Sequence, residues 1–465
     1  MSLIKSISGI RGTIGGRPGL GLTPPDLVAF SSAYAQWLAH QGEPHKGNRY
    51  RVVVGRDARI SGQMVESFVT HTLIAMGIDI IAAGLATTPT VEMAVIQSQA
   101  DGGIILTASH NPRQWNALKL LNHKGEFLSA DDGVALLEMA VHGQFEYAEV
   151  DDIGTVHEED FLGAHIKAVL QLPQVNQQAI RSKKIKVVVD AVNSVGGFAI
   201  PEMLKALGVS DVICLNCNPD GNFAHNPEPL PENLGEICQA VLENKADLGI
   251  VVDPDVDRLA FVNEDGSFFG EEYTLVAVSD YLLSMQSGNT VSNLSSSRAL
   301  RDVTLRHGGS YSAAAVGEVN VVAMMKKTSA VIGGEGNGGI IFPDLHYGRD
   351  ALVGVALFLS HLVASGKSMT ELRQSYPKYY MSKNKIQLSS DTNPDLILKK
   401  IQEKFADEHP ITIDGVKIDF EESWVHLRKS NTEPIIRIYT EAQTEKDADQ
   451  LAKRFLIEIN SMGLE

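Results

Sequence analysis

Residues 248–258 read LGIVVDPDVDR, an apolar run that ends in three carboxylates and one arginine. The five apolar residues predict a buried β-strand, and the charged residues after them predict a loop at its carboxyl end. In sheets built from alternating strands and helices, ligands bind at this end of the strands. The segment therefore predicts both an α/β fold and the location of a functional site.

The same alternation continues on both sides of this segment. The predicted strands are 51–55, 78–83, 103–106, 184–190 and 211–215, and the predicted helices are 62–76, 201–207, 234–244 and 274–285. Short apolar strands that alternate with amphipathic helices indicate α/β units with mainly parallel sheets.

The last ninety or so residues have a different pattern. Strands are predicted at 385–388, 411–420, 423–427 and 435–440, with helices at 395–405 and 445–460. This arrangement favours an α+β unit with an antiparallel sheet. A chain of 465 residues exceeds one ordinary hydrophobic core, so two to four domains are expected.

The composition limits the partners and the compartment. The formal net charge is −17, which makes nucleic acid and anionic membranes unfavourable partners. The pair Cys214 and Cys217 has no second pair to complete a zinc site, so two buried thiols are expected. Few cysteines, together with no signal-peptide or membrane-spanning run, predict a cytoplasmic protein.

Residues 253–258 are the strongest candidate site. Asp253, Asp255 and Asp257 form a set of hard oxygen ligands suited to Mg²⁺ or Ca²⁺. An EF-hand would need glycine where Arg258 stands, and it would need flanking helices. A solvated acidic turn is the other alternative, but a buried strand leads into the loop.

A second loop, residues 107–112, reads TASHNP and directly follows the strand that ends at Leu106. Ser109 is placed for nucleophilic or phosphoryl chemistry there, with His110 beside it. The alternative is that Ser109 caps a helix that begins after Pro112. Lys119 places an ammonium group a few residues further on.

Three other loops carry anion-binding or sugar-binding features. Residues 8–13 combine glycines with Arg11, and residues 333–339 combine five glycines with Glu335 and Asn337. Taken alone, the first pattern is more typical of a tight turn with a solvated arginine, and the second is more typical of a flexible surface loop. The third loop is a phosphate cradle or an ordinary hairpin loop, and it contains Arg428, Ser430, Asn431 and Thr432, with Arg437 just beyond.

Taken together, these loops offer a serine, a cation site, a sugar-contacting surface and a phosphate cradle. Such a set describes a phosphoryl-transfer site assembled between domains. On these motifs the chain resembles the α-D-phosphohexomutase family, which includes phosphoglucomutases, phosphomannomutases and phosphoglucosamine mutases. The resemblance extends over essentially the whole chain, with the motifs in the expected order.

The resemblance implies three related α/β domains with mixed, mainly parallel sheets and a smaller C-terminal α+β domain around a central cleft. The predicted boundaries are 1–150, 155–257, 258–376 and 380–465. It also implies a cytoplasmic enzyme, monomeric or homodimeric, that acts on a small phosphosugar. Mg²⁺ is the implied cofactor, and a hexose 1,6-bisphosphate is the implied activator and intermediate.

The resemblance further implies a role for each candidate residue. Ser109 would carry a phosphoryl group and bind Mg²⁺ together with Asp253, Asp255 and Asp257. Glu335 and Asn337 would hold sugar hydroxyls. The phosphate that does not react would lie in the cradle. The residues that would assist proton transfer or stabilise the transferring group are Arg11, His110, Lys119 and Arg258.

Two departures from the family pattern bear on the chemistry. Pro254 stands where glycine is usual, which stiffens the aspartate loop without removing a ligand. Gly339 stands where many members have a histidine with an acid/base role, so His110 or Lys119 would take part of that task.

The predicted reaction interconverts hexose 6-phosphate and hexose 1-phosphate. Residues 4–13 and the glycine-rich loop resemble the phosphoglucosamine mutase branch, which implies glucosamine phosphate as the substrate. Phosphoglucomutase or phosphomannomutase activity is the alternative. A phosphoserine-dependent sugar phosphatase and a non-catalytic sugar-phosphate sensor are further alternatives from other classes.

Overall fold

The computed structural model describes residues 3–6, 9–388, 393–429 and 435–461. These residues belong to two compact units. The first unit comprises Met1–Leu282 and Asn337–Arg373, and the second comprises Leu283–Gly336 and Gln374–Glu465. The first unit is therefore built from two separate parts of the sequence.

A seven-stranded sheet opens the first unit. Its strand order is β1-β2-β6-β5-β3-β4-β7. Strand β3 is parallel to β4 and β5, whereas β1, β2, β6 and β5 pair antiparallel, so the sheet is mixed as predicted. The elements are β1 (Leu3–Ser6), β2 (Gly9–Thr13), α1 (Pro24–His40), β3 (Arg51–Arg56), α2 (Gly62–Ala75), β4 (Asp79–Leu85), α3 (Thr88–Ser98), β5 (Gly102–Leu106), β6 (Trp115–Leu121), α4 (Ala130–His142) and β7 (Val156–Glu158).

Strand β3 shows why this sheet is covered on both faces. Val52 and Val54 lie in the same core cluster as Tyr34 of α1, whereas Val53 lies in a second cluster with Val95 of α3. Successive side chains of a strand point to opposite faces, so an unbroken apolar run requires helices on both sides. The loops that follow these strands at their carboxyl ends are left free for function.

A second sheet contains the aspartate loop. Its order is β11-β10-β8-β9, with β8 parallel to β9 and β10, and β11 antiparallel to β10. The sheet therefore extends beyond residue 257, the predicted end of the second domain. The elements are α5 (Leu162–Leu170), α6 (Gln177–Lys183), β8 (Lys186–Asp190), α7 (Gly196–Leu207), β9 (Asp211–Leu215), α8 (Gly235–Asn244), β10 (Leu248–Val252), β11 (Leu259–Asn263) and α9 (Glu271–Met285).

The cysteines correct one prediction. Cys214 is exposed and Cys217 is only half-buried, so the prediction of two buried thiols is wrong. The physical reason is that β9 is the edge strand of its sheet. An edge strand has one neighbour and leaves part of its surface in solvent.

The next elements along the chain belong first to the second unit and then to the first unit. In the second unit, β12 is parallel to both β13 and β14. The elements of this unit are β12 (Asn289–Asn293), α10 (Ala299–Arg306), β13 (Tyr311–Ala314), α11 (Glu318–Thr328) and β14 (Ala330–Glu335). The chain then returns to the first unit with β15 (Gly339–Ile341), α12 (Ala351–Ser365) and α13 (Met369–Gln374).

The C-terminal part of the second unit is an antiparallel sheet of order β16-β19-β18-β17, as predicted. Ile436, Ile438 and Phe455 lie in its core. The predicted strand at 411–420 is shorter, because only its second half joins the ladder. The elements are β16 (Tyr380–Gln387), α14 (Pro394–Lys404), β17 (Val416–Asp419), β18 (Trp424–Lys429), β19 (Ile435–Ala442) and α15 (Glu445–Ser461).

Helix α12 is the most completely enclosed helix near the candidate site. Every residue from Ala351 to Leu362 is buried, and the helix packs against α5, α6 and α7. Its 15 residues fall short of the roughly 20 that a bilayer requires. Within the described ranges, no helix is both long enough and apolar enough to cross a membrane.

Candidate active site

Ser109 lies at the carboxyl end of β5 and points toward the aspartate loop. Its Oγ donates a hydrogen bond of 2.8 Å to Oδ2 of Asp253, and its φ is +49°, in the left-handed region. No helix begins after Pro112; the chain turns and enters β6 instead. The helix-cap alternative for Ser109 is therefore excluded, and the predicted helix after Pro112 is wrong.

The serine loop is held by a buried arginine that the sequence reading did not select. Arg59 donates to the carbonyl oxygens of Ser109 at 2.5 Å, Asn111 at 2.7 Å and Pro112 at 2.9 Å. Its Nε lies 3.0 Å from Oδ2 of Asp57, and both side chains are fully buried. Arg59 also donates to the carbonyl oxygen of Trp115 at 3.0 Å, so one guanidinium binds four backbone carbonyl oxygens of the serine loop and the start of β6.

The aspartate loop brings three carboxylates together in a fully buried space. Asp253, Asp255 and Asp257 are each 0% exposed, and one oxygen from each lies within 4.8 Å of the others. Val256 between them has φ of +63°, a strained conformation for a β-branched residue. Strain of this kind persists where the surrounding structure enforces it, as at functional sites.

Cations and hydroxyls occupy one side of these carboxylates. Lys119 of β6 donates to Oδ2 of Asp255 at 2.6 Å and to Oδ2 of Asp257 at 3.0 Å. Thr88 donates to the same oxygen of Asp255 at 2.6 Å, and Arg349 donates to Oδ2 of Asp257 at 2.8 Å. The Oδ2 atoms are therefore fully engaged by the protein.

The opposite oxygens fit a divalent cation. Oδ1 of Asp255 and Oδ1 of Asp257 are buried and have no hydrogen-bond partner among the residues that the structure describes. Burial, followed by the negative charges of Asp255 and Asp257, raises the pKa of Asp253 well above its ordinary value. Buried carboxylate oxygens without donors are costly alone and are the ligands that hard divalent cations prefer. The residues present therefore fit a bound metal ion.

His110 and Arg258 flank Ser109. Nδ1 of His110 is 3.3 Å from Ser109 Oγ, and burial, followed by the charges of Arg258 and Arg11, lowers its pKa well below 6.5. His110 is therefore neutral near pH 7. Arg258 donates to Glu228 Oε1 at 3.1 Å, a pairing that the sequence did not predict.

Arg11 extends from β2 toward the serine loop. Its NH1 donates to Oδ1 of Asn111 at 3.4 Å, and strand β2 pairs directly with β6, which carries Lys119. The charges of Asp255, Asp257 and Arg258 all act on this guanidinium. The structure thus gathers all five predicted catalytic residues around one buried carboxylate cluster in the first unit.

The predicted sugar-binding residues lie at the two ends of one short connection. Glu335 ends β14 in the second unit, where its Oε1 accepts from Asn293 at 2.9 Å and from the Gly317 N–H at 3.1 Å. Asn337 opens the second part of the first unit, and its Oδ1 accepts from the Gly339 N–H at 3.2 Å.

The predicted phosphate cradle is described only at its edges. Arg428 of β18 and Arg437 of β19 are directly opposite each other in the antiparallel ladder. Nε of Arg428 is 3.3 Å from Asp414 Oδ2, and Arg437 donates to the Tyr439 hydroxyl at 3.2 Å. Ser430, Asn431 and Thr432 lie outside the described residues. Like charges placed opposite each other favour an anion between them.

Comparison with known proteins agrees with this arrangement. Four family models match the chain in order. Three are described as phosphoglucomutase/phosphomannomutase, alpha/beta/alpha domains I, II and III, and they match residues 3–145, 163–266 and 270–380. The fourth, the phosphoglucomutase/phosphomannomutase C-terminal domain, matches residues 388–458. The chain belongs to the phosphoglucomutase/phosphomannomutase family.

Individual relatives cover nearly the whole chain. A phosphoglucomutase/phosphomannomutase of Thermococcus kodakarensis is 36% identical over 92% of this chain and 92% of its own length. A protein of Methanopyrus kandleri named "probable phosphoglucosamine mutase" is 33% identical, with coverages of 97% and 96%. The crystal structure of a family member from Burkholderia thailandensis has a TM-score of 0.84 at 26% identity and covers 99% of this chain and 97% of its own.

Family membership makes the chain a phosphohexomutase, an isomerase that transfers a phosphoryl group. It also supports a metal at the aspartate cluster. Arg59, Thr88 and Arg349 are the members of this site that sequence reasoning missed. Each contacts the site through a partner distant in sequence. The one signal in the sequence is the polar run HYGRD at 346–350, which contains Arg349.

Proposed function

We propose that this phosphohexomutase interconverts a hexose 6-phosphate and a hexose 1-phosphate through phosphorylated Ser109. The observation that carries the proposal is the hydrogen bond from Ser109 Oγ to Asp253 inside the buried carboxylate cluster. A serine oxygen in contact with metal-ligating carboxylates is placed so that a phosphoryl group on it completes the ligand set.

Asp253, Asp255 and Asp257, together with an oxygen of phosphorylated Ser109, would hold Mg²⁺. Bound there, Mg²⁺ would neutralise charge on the phosphoryl group during transfer. Lys119, Arg11 and Arg258 supply the further positive charge that phosphoryl transfer requires. Lys119 is held by its hydrogen bond to Asp255, and the charges of Asp255 and Asp257 also act on Arg11. These cations are therefore in place before the substrate arrives.

The proposed steps conserve every phosphoryl group. The free sugar hydroxyl gives its proton to His110 and attacks the phosphorus on Ser109, the bond from phosphorus to Oγ breaks, and a hexose 1,6-bisphosphate forms. The bisphosphate turns over, and Ser109 Oγ attacks its other phosphoryl group. The sugar oxygen that leaves takes a proton, which yields the isomeric monophosphate and regenerates the phosphorylated enzyme.

We assign the proton transfer to His110 rather than Lys119. Burial acts to lower the Lys119 pKa, but Asp255 and Asp257 outweigh it and raise the pKa, so the amine stays charged. His110 is held neutral, so one of its ring nitrogens has a lone pair, and its Nδ1 lies 3.3 Å from Ser109 Oγ. A neutral imidazole has a lone pair that can take a proton, whereas an ammonium group paired with two carboxylates has none.

The remaining residues are assigned to substrate binding. Glu335 and Asn337 would hold sugar hydroxyls, and Arg428, Ser430, Asn431, Thr432 and Arg437 would bind the phosphate that does not react. The preferred substrate is proposed to be glucosamine phosphate, in line with the name of the Methanopyrus kandleri relative. The name of the Thermococcus kodakarensis relative favours glucose or mannose phosphate as the second candidate.

One assay tests the proposal. Purified protein with Mg²⁺ and a trace of hexose bisphosphate is given glucosamine, glucose and mannose 6-phosphates in parallel. Formation of a 1-phosphate, fastest with glucosamine, is the expected result. Release of inorganic phosphate without isomerisation would instead identify a phosphatase, and no reaction with any of the three would favour a sensor.

A further inference from the structure

Gly339 and Arg349 lie on two stretches of the first unit that run antiparallel to each other. The Asp350 N–H donates to the Ile340 carbonyl at 2.8 Å, and Ile341 forms a β-bridge with Arg349. The two stretches are therefore in fixed register. Arg349 is directed back across the start of β15.

The same stretches are bonded to the aspartate loop. The Leu259 N–H donates to the Gly338 carbonyl at 3.1 Å, and the Ala351 N–H donates to the Val256 carbonyl at 3.2 Å. Both hydrogen bonds join backbone to backbone, so they do not depend on side-chain rotamers. They hold the backbone on either side of Arg349 close to the carboxylate cluster.

Gly339 leaves the space that the Arg349 side chain occupies. A Cβ atom at position 339 would lie 2.3 Å from Cδ of Arg349 and 3.0 Å from its Cγ. These are atoms in the middle of the side chain, so a rotation of the guanidinium alone cannot relieve the overlap. Even alanine at position 339 would therefore displace Arg349.

The guanidinium of Arg349 orients one carboxylate of the cluster. It donates to Oδ2 of Asp257 at 2.8 Å, and Lys119 donates to the same oxygen at 3.0 Å. Within the described part of the chain, Oδ1 of Asp257 has no hydrogen-bond partner. Donors on one oxygen fix the rotation of the carboxylate and leave the other oxygen for a cation, as outer-shell partners of metal ligands do.

We propose that Arg349 is a positioning residue for the divalent cation, acting through Asp257, and that Gly339 is required because it makes room for Arg349. The identity of the cation as Mg²⁺ rests on the proposed function. The positioning role itself rests on the geometry of the carboxylate cluster.

The experiment measures cation binding rather than activity. Isothermal titration with Mg²⁺, and with Mn²⁺ as a second probe, is performed on wild type, Arg349→Met, Arg349→Lys and Gly339→Ala, all at the same phosphorylation state. Arg349→Met and Gly339→Ala should each weaken binding by roughly 10- to 100-fold. Arg349→Lys, which keeps a positive charge, should recover part of that loss.

The double variant Gly339→Ala/Arg349→Met tests whether the two residues act together. Its affinity should match that of Arg349→Met alone, since the added methyl group overlaps most severely with Arg349, at 2.3 Å, and its other close neighbour, Asn337 Oδ1 at 3.2 Å, plays no part in the proposed positioning of Asp257. Gly163→Ala, where an added Cβ meets no atom within 4 Å, is the matched glycine control. Arg56→Ala, which breaks a part-buried pair with Glu66, is the matched arginine control. Both controls should bind Mg²⁺ as wild type does.

Each outcome decides between defined alternatives. Wild-type affinity in Arg349→Met overturns the positioning role, and losses that add up in the double variant overturn the link to Gly339. If Arg349→Met does not fold by circular dichroism, Arg349→Lys and Gly339→Ala decide. A wild type that binds Mg²⁺ but isomerises no sugar phosphate overturns the proposed function and leaves this inference standing.

Discussion

Ser109 Oγ and Asp253 Oδ2 lie 2.8 Å apart although 144 positions separate the two residues in the sequence. The contact joins the carboxyl end of β5 in the first sheet to the carboxyl end of β10 in the second sheet. Each of two α/β sheets has a functional loop at the carboxyl ends of its strands. One loop thus provides the serine of this contact and the other provides the aspartate.

Replacing Ser109 with alanine should remove the residue that carries the phosphoryl group. We expect isomerisation to fall by at least about 10³-fold, because loss of a nucleophile is not compensated by the remaining groups. Intact-mass analysis should show a phosphorylated fraction in wild type and none in Ser109→Ala. Ser31→Ala is the matched control, since Ser31 is fully buried and its Oγ has no hydrogen-bond partner. Equal isomerisation rates in wild type and Ser109→Ala would contradict the assigned role.

Replacing Arg59 with methionine should disorder the serine loop and destabilise the first unit. Four carbonyl oxygens lose their donor, and Asp57 is left as a buried charge without its partner, at a cost of about 3–5 kcal/mol. Thermal unfolding should show a lower Tm. The double variant Asp57→Asn/Arg59→Met removes the unpaired charge and should regain part of the Tm but not the activity. Recovery of full activity in the double variant would show that Arg59 does not position the loop.

The stability of the first unit should depend on the protonation of His346. Burial acts to lower its pKa, but hydrogen bonds with Asp350 and Glu92 outweigh this and raise it to about 10. The resulting stabilisation is complete below about pH 6.5 and is lost as the pH rises toward 10, with a total on the order of 5 kcal/mol.

The measurement is the Tm of wild type and of His346→Gln at several pH values from 6 to 10. The difference between the two proteins should be largest at pH 6 and should shrink as the pH rises. A difference that stays constant over this range would mean that His346 does not change its charge there.

Arg428 and Arg437 should respond to anions as a pair. Because they are opposite each other on adjacent strands, their repulsion costs about 0.2–1 kcal/mol in the absence of a ligand. Arg437→Gln should therefore keep or slightly raise the Tm in low-salt buffer. Inorganic phosphate should raise the Tm of wild type and have a smaller effect on Arg437→Gln. An equal phosphate effect on both proteins would remove Arg437 from the proposed phosphate site.

The sequence was sufficient for elements that are determined locally. The apolar run before Asp253 predicted a buried strand and a loop with converging carboxylates, and both are present. The antiparallel C-terminal sheet was also predicted from alternating patterns. In each case the short-range pattern of apolar and polar residues already determines the structure.

The sequence was insufficient where a distant partner decides the outcome. After Pro112 the chain forms a strand, because β6 is paired on both sides, by β2 and β5, and these partners override the local turn signal. Arg59 is an ordinary arginine in sequence and becomes part of the site only through carbonyl oxygens some fifty positions away. Cys214 was misjudged for the same reason, since edge and centre strands look alike in a single sequence.

The first unit is made from two segments, and this has a consequence for how the protein is synthesised. The ribosome releases Asp257 long before Arg349, and Leu283–Gly336 of the other unit must emerge in between. During that interval the carboxylate cluster lacks the guanidinium of Arg349, which donates to Asp257, and the start of α12. In a nascent chain that pauses before residue 349, the carboxylate cluster is therefore incomplete. The site is completed only after Asn337–Arg373 has been synthesised and has packed against the earlier segment of the first unit.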